Sequence, residues 1–460
     1  MPSVRPIGKR MATFYLTLRV VPTLKNPDFN DVAGASALCW IYTDNPQSAL
    51  ARASFKVRQY EWDVVEVQDP PTETTQNDFM EKDIGLEQYK HAQENGIAIV
   101  FAAWARDGKS SYGPVKLKRL DDFDLALYLS ESKKLKQQGH CLHYDAGSRC
   151  SQVIDAHSIQ RNGALSLIAD NGHVYAISRN FQDLKRGRGG VTYTKQGINT
   201  VSTFRGFCEK HDIELFAPID AASLIPTQQQ TLLYAYRALC RELFVKENAS
   251  RLLKKQAEKS RGQAALYKLL DSMREGTDCG LRNLLSQKRR YDESLSAGSF
   301  SDIKSVVFCT HQKPSLVFSG LFYPDFDFLG RQLQDLSDHS TALDLLTFSF
   351  APMDDGWGIV FAWHSQSSGA CVPFMKSLAT RIYEDGKPED HLFRLVISNC
   401  ENMAVRPQWW ESLPEQVRIA IKNAASYGAD LFAPIRPDYL AQGLYGVSSW
   451  KFENVISDME

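Results

Sequence analysis

No stretch of this chain stays apolar for the roughly 18 residues needed to cross a bilayer, so the sequence offers no helical membrane anchor. The opening segment MPSVRPIGKRMATFYLTLRVVP has a basic head but lacks the compact apolar block and small-residue cleavage site of a secretory signal. The expected location is the cytoplasm. Neither sign of charge is in excess: 53 Lys and Arg stand against 54 Asp and Glu. That balance excludes a globally basic nucleic-acid coat and confines any contact with DNA or RNA to local regions. Cysteine is sparse, nine in 460 residues and odd in number, which excludes a dense disulfide scaffold and fits a reducing compartment. Where cysteines do cluster, metal is the first expectation. Glycine loops of the Walker or dinucleotide type are missing, so nucleotide hydrolysis has no motif behind it.

What is present is length and apolar content. With 43% hydrophobic residues over 460 positions, two to four domains are expected, and the pattern reads as a multidomain α+β chain. Residues 12–106 form a small N-terminal α+β domain: strand-like runs at 13–20 and 36–42, helical spacing at 48–59, then strand-like runs at 62–67 and 96–104. This domain carries no catalytic constellation, and a role in binding a protein partner is its expected use. Residues 107–139 connect, through a helix, to a cysteine-bearing module at 140–226. A helical segment at 227–295 follows, opened by Thr227 as N-cap after Pro226, with Leu232, Tyr236, Leu239 and Leu243 on one face. Between Thr227 and Glu293 it holds 14 Lys and Arg against 8 Asp and Glu. After the SAGSFS linker, residues 302–460 read as a C-terminal α/β domain with strands near 305–309, 315–322, 345–350 and 358–363. A Met353–Gly356 turn and helices near 371–383 and 413–427 complete it.

The module at 140–226 carries the chemistry. It begins HCLHYDAGSRCSQVIDAHSIQ and closes INTVSTFRGFCEKHDIELFAPID. Cys208 and His211, three apart at the start of a helix, aim their side chains toward one point. A structural zinc site needs four such donors, and Cys141 and Cys150, folded back by an Asp-Ala-Gly-Ser turn, supply the other pair. His140 and His143 are competing ligands. Two pairs separated by a hairpin, the second opening a helix, is the order of a treble-clef zinc domain, with 152–159 and 173–178 as the expected hairpin strands.

On these residues the stretch 140–220 resembles the HNH, or His-Me finger, endonucleases. The resemblance implies a strand-borne histidine that activates water against a phosphodiester beside a divalent cation. Asp155-Ala156-His157-Ser158-Ile159 matches that strand, so His157 would be the general base and Mg²⁺ or Mn²⁺ the catalytic ion. An imidazole titrating near neutrality suits that task; its other reading is a structural or zinc-ligating histidine. Asn199, nine residues before Cys208, and Asp212, directly after His211, are the candidates for holding the catalytic ion, and neither sits where the family places its ligands. The stretch is also similar to bacterial proteins of unassigned function that share a C…C, AHSIQ, FCxxHD core, a likeness that implies no chemistry. The loop RNFQDLKRGRGGVTYTK brings Arg179, Lys185, Arg186, Arg188 and Lys195 together, suited to a phosphate backbone or simply to solvent. A metal-dependent endonuclease with structural Zn²⁺ is therefore expected. The alternative is a non-catalytic zinc-scaffolded protein whose terminal domains recognise a partner. His364 with Cys371, the aspartates 325, 327, 354 and 355, and the Trp409-Trp410 pair are weaker candidates for a site in the C-terminal domain.

Overall fold

The computed structural model describes residues 11–79, 82–105, 111–112, 125–147, 149–179, 191–260, 264–336, 341–426 and 437–459. These divide into two compact units, one within residues 11–112 and the other within 125–459.

The N-terminal unit is an antiparallel sheet of five strands with two helices. Its strands are β1 (Ala12–Pro22), β2 (Val32–Thr43), β3 (Trp62–Thr74), β4 (Ile97–Ala105) and β5 (Ser111–Tyr112), in the order β3-β1-β2-β4-β5. Helix α1 (Pro46–Gln59) starts where the Asn45 side chain accepts a 2.8 Å hydrogen bond from the Ser48 N–H, with Pro46 supplying the fixed φ of a first helical residue. Alternation along the strands sends Leu16, Leu18, Ala37 and Cys39 to the face covered by Ala49, Ala53 and Val57 of α1. Tyr15, Leu38 and Trp40 go to the other face, against Tyr89 and Ala92 of helix α2 (Asp83–Asn95). That second helix was not expected from the sequence.

The larger unit is built on an eight-stranded sheet. Helix α3 (Leu125–Gln137) opens the unit, and strands β6 (Val153–His157), β7 (His173–Arg179), β8 (Val191–Gly197) and β9 (Thr203–Cys208) follow. Next come helices α4 (Glu209–Asp220), α5 (Gln228–Lys259) and α6 (Ala264–Ala297). The C-terminal part adds β10 (Ile303–Thr310), β11 (Leu316–Phe322), β12 (Leu346–Met353), β13 (Gly356–His364), β14 (Met403–Val405) and β15 (Asn454–Ser457). Its helices are α7 (Ser368–Asp385), α8 (Pro388–Asn399), α9 (Pro407–Ser412) and α10 (Glu415–Ala425). The sheet order is β15-β10-β13-β12-β11-β14-β7-β8, while β6 and β9 form a separate pair.

Both faces of the large sheet are covered. Phe308, Ile359, Phe361 and Trp363 pack with Phe374, Leu378 and Leu395 of α7 and α8. Val307, Val360 and Ala362, their neighbours in sequence, pack with Leu232, Tyr236, Leu239 and Leu243 of α5. Burial on both sides explains why these strands read as continuous apolar runs rather than alternating ones.

Two expectations are corrected here. Every ladder in the sheet is antiparallel, so the C-terminal region, expected as an α/β domain, belongs to a mixed α+β unit; the tight Met353–Gly356 hairpin forces that sense on β12 and β13. Gly356 has φ +114°, and a Cβ there would stand 2.1 Å from the Thr310 carbonyl oxygen, so only glycine closes this turn. Second, 173–178 does not pair with 152–159. Strand β7 pairs with β8 and joins the large sheet through β14, and β6 finds its partner in β9.

The expected start of α5 is present: the Thr227 hydroxyl accepts from the Gln230 N–H at 3.2 Å. The four residues named for its inner face are all fully buried.

Candidate metal centre and the adjoining cleft

Cys141, Cys150, Cys208 and His211 come together, with one ligand atom from each and all four within 4.8 Å of one another. His211 Nδ1 lies 3.4 Å from Cys141 Sγ and 3.6 Å from Cys150 Sγ. Around a tetrahedral zinc, with sulfur at about 2.3 Å and nitrogen at about 2.0 Å, such pairs stand roughly 3.5 Å apart. Among the described residues this is the one grouping of His, Cys, Asp and Glu side chains able to hold a metal ion.

The chain builds the group from three pieces. Cys141 and Cys150 sit on a loop closed by the Ala146 N–H donating to the His143 carbonyl and the Cys150 N–H donating to the Gly147 carbonyl, both at 3.0 Å. Cys208 ends β9 and is the N-cap of α4, which carries His211 in its first turn. The loop also caps that helix: the Glu209 N–H donates to the Gln152 carbonyl and the Lys210 N–H to the Ser151 hydroxyl, each at 3.0 Å. Gly139 permits this close approach. A Cβ there would stand 1.9 Å from the Arg205 carbonyl oxygen, while the Leu142 N–H donates to the Gly206 carbonyl at 2.8 Å. Sequence reasoning passed over Gly139 because a lone glycine shows its packing role only when its neighbour on β9 is known.

Cys208 and His211 are fully buried and the other two cysteines half-buried. Burial would raise the Cys208 thiol, but the backbone N–H groups of His211 and Ser151, the Ser151 hydroxyl and the Cys141 thiol outweigh it and hold it at about 7. A thiolate there is easily formed, which is the form a metal binds. The two competing histidines stay outside the group. His143 stacks on the His211 ring at 4.0 Å, and burial together with His211 pushes its pKa down to about 4. His140 faces Glu247 at 3.8 Å.

Beside the metal group lies a polar cleft of about 240 Å³, walled by β6, the residues just after it, α4 and α5. His157 and Asp212 both line it, with Asp155, Gln160, Arg161, Asp220 and Arg237. His157, the last residue of β6, is half-buried, and its Nε2 lies 3.0 Å from the Ile198 carbonyl oxygen. A carbonyl only accepts, so Nε2 carries the ring proton and Nδ1 is left unprotonated. Burial lowers the His157 pKa, against the opposing effect of that carbonyl. Burial also raises the Asp212 carboxyl to about 6, Arg237 lowering it and Asp220 raising it further.

Asn199 is not in this cleft. It is exposed in the turn between β8 and β9, one residue past the carbonyl that holds His157. Lys195 is exposed on β8, and Arg179 ends β7 opposite Val191. Lys185, Arg186 and Arg188 lie outside the described residues.

Arg237, Asp220 and Gln160 were not expected at a site. Arg237 directly follows Tyr236, one of the four residues expected on the inner face of α5, and the packing of α5 on α4 brings it to the cleft. The weaker candidates separate. The His364 ring accepts from the Gln366 N–H at 3.2 Å, and the Cys371 thiol faces the Leu345 carbonyl at 3.5 Å. Asp327 binds the turn N–H groups of Leu329 and Arg331, and Trp409 and Trp410 are buried in the core, Trp410 against Tyr193.

No protein-family model, no curated protein and no solved structure matches this chain.

Proposed function

We propose that the chain is a zinc-containing, metal-dependent endonuclease in which Cys141, Cys150, Cys208 and His211 hold a structural Zn²⁺ and His157 is the general base. The observation that carries this reading is the placement of a half-buried histidine, its Nε2 fixed on a backbone carbonyl, in a polar cleft that adjoins the metal group. The arrangement of loop, β6–β9 pair and helix α4 is compatible with a treble clef, the scaffold that the HNH resemblance implies.

The donor set fits zinc: three sulfurs and one imidazole gathered within 4.8 Å, the imidazole nitrogen at tetrahedral distance from two of the sulfurs. The closed, largely buried character of the group suits a structural rather than a catalytic ion. In the cleft the donors are instead carboxylate oxygens, which suit Mg²⁺ or Mn²⁺. Such an ion is commonly held by one or two carboxylates together with substrate phosphate, and Asp212 is the residue for it; when bound it would stabilise the leaving oxygen. His157 Nδ1 takes the proton from a water whose oxygen attacks phosphorus. The Ile198 carbonyl keeps the ring in the tautomer that leaves Nδ1 free. Lys195 and the basic loop before it would contact the nucleic-acid backbone.

A second reading has one observation in its favour. Three aspartates and two arginines line the cleft, a balance that does not by itself attract a polyanion, and a non-catalytic zinc-scaffolded protein would need no such attraction.

The test is zinc content of the purified chain and of Cys208→Ala, followed by cleavage of DNA and of RNA with Mg²⁺ or Mn²⁺, with His157→Ala alongside. About one zinc per chain, lost in the cysteine variant, with cleavage lost in a folded His157→Ala variant, is the expected result. Zinc without cleavage of either nucleic acid moves the assignment to the binding protein. No zinc removes both.

A further inference from the structure

Arg237 and Asp220 form an ion pair whose two halves are unequally placed. The Arg237 side chain is 3% exposed and that of Asp220 42%. The bonds are bidentate, Nη1 to Oδ1 at 2.7 Å and Nη2 to Oδ2 at 2.5 Å. The guanidinium carbon lies 4.0 Å above the Phe216 ring, and the buried Nε has no hydrogen-bond partner. The cation is thus fixed in the wall of the His157 cleft, while its counterion reaches into solvent. Asp220 is also the last residue of α4, where the helix dipole disfavours a carboxylate, so the helix itself gives no reason for an acid at this position. A buried guanidinium cannot be left unpaired, but it can change partners. A phosphate presents the same two-oxygen fork to arginine as a carboxylate does.

We propose that Arg237 is the group that holds the non-bridging oxygens of a phosphodiester in the cleft, and that Asp220 is its resting place-holder, displaced into solvent when the phosphate arrives. Exchange keeps the guanidinium paired throughout and keeps unbound anions of low affinity out. A second buried polar atom without a partner, Gln160 Oε1, lines the same cleft while its Nε2 is held by the Ile219 carbonyl at the end of α4; it can accept from the ligand's sugar hydroxyl or base. The phosphodiester identity of the ligand rests on the function proposed above; the anion exchange itself does not.

The experiment uses the full, zinc-loaded chain with Ca²⁺ present and measures binding of the dinucleotide thymidylyl-thymidine, of its uncharged methylphosphonate analogue, and of inorganic phosphate. Asp220→Asn, which weakens the competitor, is expected to tighten dinucleotide binding roughly tenfold, and Arg237→Gln to weaken it by about as much or more. The methylphosphonate should respond to neither substitution. Phosphate binding as tightly as the dinucleotide would identify the ligand as a free anion and overturn the phosphodiester assignment. The gain in Asp220→Asn cannot come from misfolding, and Arg237→Lys stands in if Arg237→Gln does not fold. Unchanged or weaker binding in Asp220→Asn, equal responses of the uncharged analogue, or no dinucleotide binding at all would make the pair a structural tie and end the proposal. Charge-dependent binding without cleavage of any nucleic acid would remove the nuclease and keep this site. His157-dependent cleavage that survives at wild-type rate in Arg237→Gln would do the reverse.

Discussion

Val153 stands directly across the β6–β9 ladder from Cys208, so the strand that ends in His157 begins beside a metal-ligand candidate. That two-stranded pair, separate from the large sheet, sets the direction in which β6 delivers His157. Short two-stranded ribbons are marginal without further support, and here the metal group and the core around Phe204, Phe207 and Phe216 supply it. Removing zinc is therefore expected to act on the cleft as well as on stability. Chelation, or Cys208→Ala, should lower the melting temperature by roughly 5 °C or more, since each kcal/mol shifts a unit of about 150–250 residues by about 2–4 °C and this larger one by less, while structural zinc contributes on the order of 10 kcal/mol. Hydrogen exchange at β6 should quicken in the same samples. Unchanged exchange there would show that the large core alone positions His157.

Gly139 gives a sharper test of how the metal loop is seated. An alanine Cβ would stand 1.9 Å from the Arg205 carbonyl oxygen, a contact relieved only if the chain before Cys141 lifts away from β9. Gly139→Ala should cost about 1–3 kcal/mol, the usual range for forced overpacking, and lower zinc affinity measured by competition with a chelator. Gly276→Ala on α6, where a Cβ meets nothing within 4 Å, is the control and should leave zinc affinity unchanged. Equal zinc affinity in both variants would mean that Cys141 tolerates the shift.

Local signals carried the ligands but not the cleft. Cys208 and His211 lie on one helical turn, and Cys141 and Cys150 on one loop, so short-range spacing was enough to name all four. The strand partner of β6 was a different matter: β9 is separated from it by the β7–β8 hairpin, which the sequence offered as the nearer strand and which the large sheet takes through β14. The same blindness hid Arg237, whose cleft position depends on α5 packing against α4. In the C-terminal region the apolar runs identified β10 to β13, yet strands buried on both faces look alike in parallel and antiparallel sheets, and so the α/β expectation failed.

Tyr236 joins the metal loop to the helical pair α5 and α6. Its hydroxyl stands 2.7 Å from Asp292 Oδ1 and 2.9 Å from the carbonyl oxygen of Leu142, the residue after Cys141, and shares its one proton between these two acceptors. Asp292 is held in turn by Lys288. Tyr236→Phe keeps the ring in its fully buried place and removes only the hydroxyl, leaving the Leu142 carbonyl without that partner. The expected cost is about 1–3 kcal/mol, read as a lower urea midpoint with an unchanged m-value. A shift within experimental error would mean that the loop is held by the Leu142–Gly206 bond and the ligands alone.

The pH dependence of His157 follows from its burial. The folded-state pKa is lowered, while in the unfolded chain it takes the ordinary value of about 6.5. Below that pH the unfolded state binds the proton more readily than the folded one, so stability contributed by the neutral ring is complete above about pH 6.5 and is lost as pH falls toward the folded-state pKa. His157→Gln, whose amide can still donate to the Ile198 carbonyl, has no such proton to take up. The stability of wild type relative to this variant, measured by urea unfolding from pH 8 to pH 5, should therefore be constant at the alkaline end and decline through the acid end. Cleavage needs both a neutral His157 and an ionised Asp212, whose carboxyl burial raises to about 6: the acid limb of its rate profile should fall below about pH 6.5, where an ordinary surface histidine would already be half protonated. A wild-type advantage that grows on acidification would mean that Asp155 and its neighbours stabilise a charged ring, and a charged ring at working pH cannot be the base.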